Sequence, residues 1–79
     1  MDDGDRLKQL TTRQYDALEA AVTHSRRVSV YRRGTEYVGI PQRIWQDGRR
    51  EAVSILHPTT GEEITVYLDD IEHLDVLTR

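Results

Sequence analysis

The chain of 79 residues has no cysteine and no phenylalanine, only two prolines and five glycines, and a single lysine against ten arginines. Without cysteine there is no disulfide and no thiolate metal site to staple a small core, and no thiol nucleophile. No apolar run approaches the roughly 18 residues of a membrane span, and none follows the start as a signal peptide requires. A chain this short buries only about 60–65% of the surface it exposes when unfolded, so its core has a thin margin. With 37% hydrophobic and 32% charged residues it still has enough apolar content to fold. These absences predict a cytoplasmic, non-membrane protein of one domain.

The formal charge of −3 is unevenly spread. Residues 1–22 balance to −2. Residues 23–50 carry Arg26, Arg27, Arg32, Arg33, Arg43, Arg49 and Arg50 against Glu36 and Asp47, a balance of +5. Residues 51–79 carry Glu51, Glu62, Glu63, Asp69, Asp70, Glu72 and Asp75 against Arg79, a balance of −6. Either the fold separates these segments into a bipolar surface, or they pair as neighbouring strands and neutralise one another.

Residues 1–9 are polar and aperiodic and predict a flexible tail ahead of a single helix-plus-barrel domain over residues 10–79. Thr11 and Gln14 fit a capping box, and Leu10 with Tyr15 fits a hydrophobic staple. Tyr15, Leu18, Ala21 and Val22 then recur at helical spacing, predicting a helix over residues 11–24 with Asp16 and Glu19 off the apolar stripe. From residue 27 the period becomes two. Val28 and Val30 share one face of a first strand, with a turn at Gly34-Thr35. Val38 and Ile40 are expected inward on the second strand, with Tyr37 outward. Pro41 marks an edge, bulge or strand end, after which Ile44 and Trp45 continue. Asp47-Gly48 signals a hairpin. Val53 and Ile55 point inward on a third strand that Pro58 stops. Ile64, Val66 and Leu68 line one face of a fourth, a tight turn follows at Asp69-Asp70-Ile71, and Leu74 and Val76 mark a short fifth. One amphipathic helix before five short strands predicts a mostly β (α+β) fold: the helix packed on a small five-stranded antiparallel barrel of SH3 or Sm-like shape, whose curvature relieves exposed edges.

The chemical inventory predicts a protein that is not an enzyme, with no metal and no cofactor. Ser25, Ser29 and Ser54 sit in no strained strand-to-helix turn, and His24, His57 and His73 lack the helical pairing of a zinc site. The glycines are isolated, so no phosphate-cradling loop exists. Asp69-Asp70 reads as a turn in which one carboxylate accepts a backbone N–H. Two binding surfaces remain. Asp16 and Glu19 give the helix an acidic face suited to a basic protein partner. Arg27, Arg32, Arg33, Arg43, Arg49 and Arg50 with Tyr31 and Trp45 supply the cations and stacking rings of a single-strand nucleic-acid surface, unless the rings cover core edges.

The run Tyr15-Asp16-Ala17-Leu18-Glu19-Ala20-Ala21 followed by His24, and the run Gly61-Glu62-Glu63-Ile64-Thr65-Val66-Tyr67-Leu68-Asp69-Asp70-Ile71, resemble the Rof family of modulators of Rho-dependent transcription termination. The resemblance covers residues 11–74. It implies a helix on an Sm-like barrel and a non-enzymatic adaptor that binds the Rho helicase, with Asp16 and Glu19 facing a basic surface of that partner. The chain departs from the family where Thr11, Thr12 and Val22 replace usual cysteines, and where Arg32-Arg33-Gly34 forms a basic turn in place of an acidic one. The other readings are an RNA-binding barrel using the arginine-rich strands, and a regulatory or structural module with no nucleic-acid link.

Overall fold

The structure, a computed structural model, describes residues 10–77. The tail expected over residues 1–9 and the last two residues of the expected domain lie outside the described residues. Helix α1 (Thr12–His24) starts where the side chains dictate. The Thr11 hydroxyl accepts from the Gln14 N–H at 3.1 Å, while Gln14 Oε1 accepts from the Thr11 N–H at 2.9 Å. This capping box satisfies two N–H groups that the first turn leaves without partners. The helix ends at Ser25, which turns left-handed (φ 55°), so that the Arg26 N–H reaches back to the Ala21 carbonyl at 2.9 Å. Leu18 and Ala21 are fully buried; Leu10 and Tyr15 pack against the same core from the helix start.

Five antiparallel strands follow: β1 (Arg27–Arg32), β2 (Thr35–Asp47), β3 (Arg50–Leu56), β4 (Glu63–Tyr67) and β5 (His73–Leu77). Their order in the sheet is β4-β3-β2-β1-β5. The two edge strands are joined by a 3₁₀ turn at Leu68–Asp70, one residue earlier than the expected Asp69-Asp70-Ile71 turn. It carries Leu68 and Ile71 into the core. The result is the mostly-β, barrel-like arrangement expected, with α1 laid against β2, β1 and β5. Among the described residues no helix is long and apolar enough to cross a membrane.

Strand β2 makes the curvature. Thr35–Gly39 pair with β1, and Ile40–Asp47 pair with β3, so one strand passes from one half of the barrel to the other. Gly39 sits at the crossing. A Cβ there would stand 2.5 Å from the Leu56 carbonyl oxygen and 2.7 Å from an Ile55 methyl, so only glycine permits this approach of backbone to backbone. Pro41 is fully buried beside a bulge between Pro41 and Arg43. There an unpaired residue resets the face each side chain takes.

Two expectations need correction. The first turn is Arg33-Gly34, both at positive φ (54° and 76°), and the second is Gly48-Arg49; each sits one residue away from the expected pair or its start. Positive φ at both residues of the first loop, and at Gly48 in the second, is the geometry that keeps a hairpin's twist. Val38 and Ile40 do not point inward. Val30 lies opposite Tyr37 and Val28 opposite Gly39, and directly opposed residues share a face. Any two-residue loop pairs even positions with odd ones here, so burying Val28 and Val30 turns Val38 outward. Val38 is accordingly 37% exposed, while Tyr37 is half-buried. The other inward positions, Val53, Ile55, Val66 and Leu74, are buried as expected, with Ile44, Ile64 and Val76 packed beside them.

Candidate interaction surfaces

The helix presents Asp16 and Glu19 to solvent, because Leu18 and Ala21 fix the opposite side in the core. Neither carboxylate forms a hydrogen bond or ion pair among the described residues. Glu19 borders a shallow recess shared with Val22, Thr23, Arg43 and Ile44, so the acidic face adjoins an arginine of β2.

The arginine and aromatic residues do not converge on one surface. Arg27 opens β1 opposite Leu77, Arg33 sits in the first hairpin turn, and Arg49 sits in the second, at the far end of β2. Arg32 lies on the inward side of β1. Its guanidinium stacks over the Tyr37 ring at 5.0 Å, donates to the Tyr37 hydroxyl at 3.2 Å, and reaches the Thr65 carbonyl of β4 at 3.5 Å. It therefore ties β1 to β4 across the barrel's open side. Arg43 stacks on Trp45 at 4.3 Å. Tyr31 carries no arginine; its ring meets His73 edge-on at 5.8 Å.

Arg50 is bound most fully. It donates to Asp69 at 2.6 Å and to Asp70 at 3.0 Å, and stacks on Tyr67 at 4.0 Å. Tyr67 in turn donates to Asp47 at 2.7 Å, which holds its phenol above the ordinary tyrosine pKa. The Asp69 hydrogen bond, with those of Asp70 and the two negative charges, pushes Arg50 further up. This network lies along the outer side of β2-β3-β4, where Trp45, Ala52 and Tyr67 stand in one cross-strand row. The aspartates of the 3₁₀ turn thus take an arginine side chain rather than the backbone N–H expected of them. Of the seven arginines in residues 23–50, Arg50 alone forms an ion pair with the acidic end among the described residues. Tyr67, its platform, was not among the expected binding residues; the alternation of β4, which puts Thr65 and Tyr67 outward together, is the signal for it.

The outer side of β5-β1-β2 differs. The register sets Glu36, Tyr31 and His73 in one row, and Val38, Ser29 and Asp75 in the next. Tyr31 (36%), Val38 (37%) and Leu77 (37%), the exposed large apolar residues of the described chain, all lie here. Ser29 is small and 96% buried, and donates its hydroxyl to Glu36. It floors a shallow groove walled by Tyr31, Glu36, His73, Asp75 and Leu77. The Glu36 charge first, then desolvation, a hydrogen bond to Glu36 and the Asp75 charge hold the Tyr31 phenol above its ordinary pKa. A second groove of about 400 Å³ opens on the other side of β2, between Tyr37, Val38, Ile55, His57, Glu62 and Ile64. Neither groove is lined by arginine or lysine.

The remaining polar groups have structural partners. His57 Nδ1 accepts the Thr59 and Thr60 N–H groups at 3.2 Å, closing the β3–β4 turn. His73 lies 3.1 Å from Asp75. Among the described residues no group of three or more histidine, aspartate or glutamate side chains is placed to hold a metal. A further recess of about 320 Å³ lies at the helix start. There Tyr15 donates to Glu51 at 3.1 Å, and burial followed by that hydrogen bond raises the Tyr15 pKa. No protein-family model, no curated protein and no solved structure matches the chain.

Proposed function

We propose that this domain is a non-enzymatic adaptor of Rof-like type, which binds a basic surface of a transcription-termination factor or another RNA-handling protein through Asp16 and Glu19. The observation that carries the reading is the pair of exposed carboxylates on α1, anchored by buried Leu18 and Ala21 and without partners among the described residues. An anchored helix holds its charges in fixed positions, which speeds encounter with a complementary surface. The resemblance of the Tyr15–Ala21 run to the Rof family names the Rho helicase as the partner to try first.

The test is capture of purified Rho by the immobilised domain. Asp16→Lys with Glu19→Lys abolishes capture while the circular dichroism spectrum stays unchanged; capture at the original level discards the assigned face. A second reading, a single-stranded RNA surface on the arginine-rich strands, draws on the Arg43 guanidinium stacked on Trp45. Binding of labelled RNA that weakens steeply with salt would favour it.

A further inference from the structure

The outer side of β5-β1-β2 faces away from the helix, since Val28, Val30 and Leu74 of the same strands pack with Leu18 and Ala21 on the other side. It is an unpartnered sheet face of distinct chemistry. Tyr31, Val38 and Leu77 expose apolar surface, although packing would favour hiding it. Glu36, Asp75 and, across β2, Glu62 supply three carboxylates; no arginine or lysine lines either groove, in a chain with ten arginines.

We propose that the two grooves flanking Glu36 and Val38 form one docking surface for an extended segment of another protein in which basic and aliphatic side chains alternate. Charge complementarity selects the occupant. Strands two apart lie about 10 Å from each other, so a guanidinium or ammonium group over the small Ser29 lies between Glu36 on β2 and Asp75 on β5. Neither carboxylate has a lysine or arginine partner among the described residues, and the charge of each raises the Tyr31 phenol, which marks the spot as electronegative. Successive side chains of an extended segment point to opposite sides, so a segment along the free edge of Thr35–Gly39 turns its basic side chains to the outer side, toward Glu36, and its aliphatic side chains into the second groove, toward Tyr37 and Ile64. The Thr35–Gly39 backbone pairs with β1 alone, because pairing with β3 begins only at Ile40. That edge gives an extended segment hydrogen-bonding groups beside the second groove. The same carboxylates repel the phosphates of a nucleic acid at this surface.

The experiment is titration of isotope-labelled protein with a short synthetic peptide alternating arginine and valine, followed by amide chemical shifts. Two control peptides carry glycine for valine, or glutamate for arginine. Saturable shifts centred on Ser29, Glu36, Val38 and Ile64 are expected, with both controls at least about tenfold weaker. Val38→Lys, at an exposed position, weakens binding by about tenfold with an unchanged circular dichroism spectrum; Glu36→Lys does the same from the charge side. Shifts confined to the surroundings of Asp16 and Glu19, unchanged affinity in Val38→Lys, no saturation at millimolar peptide, or a peptide-free dimer formed through this face would each overturn the proposal. Rho capture by α1 is scored with other variants, so either surface can fail alone.

Discussion

The two outer sides of the barrel are built from the same kinds of residue and end in opposite states. On β2-β3-β4, tyrosine, arginine and aspartate satisfy one another: Tyr67 donates to Asp47, and Arg50 is held by Asp69, Asp70 and the Tyr67 ring. On β5-β1-β2, tyrosine and carboxylates stand together, and Arg27, on the same side opposite Leu77, forms no ion pair with them among the described residues. Register decides this, not composition. Arg50 falls opposite Asp47 and beside the 3₁₀ turn, whereas Ser29 falls opposite Val38 and Asp75. Charge on the first side is spent within the fold; on the second it is available.

Changes that dismantle the barrel beneath both sides have the largest effect. Leu18→Ala removes a fully buried side chain from under the helix and should cost about 2–5 kcal/mol, read by chemical denaturation. Gly39→Ala comes next. Its methyl meets the Leu56 carbonyl, so the strand must shift where β2 passes between the two halves. A loss of about 1–3 kcal/mol is expected, with movement of amide signals on both sides. Replacing Asp69 and Asp70 by asparagine has a smaller effect, a measurable fall in melting temperature because Arg50 loses its two opposite charges while keeping acceptors. Glu36→Gln should not lower the melting temperature, since Ser29 keeps an acceptor and the repulsion from Asp75 is relieved. If the two sides respond alike, the contrast drawn between them is wrong.

The finest discrimination comes from the tyrosines. Tyr67 and Tyr31 both ionise above the ordinary value near 10, the first chiefly through its hydrogen bond to Asp47, the second chiefly through the Glu36 charge. A phenol whose pKa is raised on folding contributes stability in full below the unfolded value, and that contribution is lost as pH rises through the folded value. Ultraviolet titration of phenolate formation should show the Tyr31 component, missing in Tyr31→Phe, moving back toward the ordinary value at about 1 M salt, where the screening length is about 3 Å. The Tyr67 component, missing in Tyr67→Phe, should move back in Asp47→Asn and respond less to salt.

Much of the barrel was legible because its signals are local. The Thr11–Gln14 box, the stripe through Leu18 and Ala21, and the alternations of β3 and β4 each depend on residues within a few positions. The error at Val38 and Ile40 came from reading β2 by hydrophobicity alone. Its face is set by pairing with β1, and Gly39 and Tyr37 are inward because Val28 and Val30 are. The arginines were legible as a composition but not as a surface: whether Arg50 is free depends on Asp69 and Asp70, brought to it only by the chain's return. The exposed side with Tyr31, Val38 and Leu77 needed the register of three strands, which no local pattern supplies.

The proposed surfaces recognise cations and apolar groups rather than nucleic acid, because the arginines over Tyr37, Trp45 and Tyr67 each stand on a separate ring and the others lie at separate corners. Titration of a labelled single-stranded RNA at low salt tests this most directly, by fluorescence anisotropy. No change is expected at tens of micromolar protein; saturable binding that collapses as salt is raised would overturn that assignment.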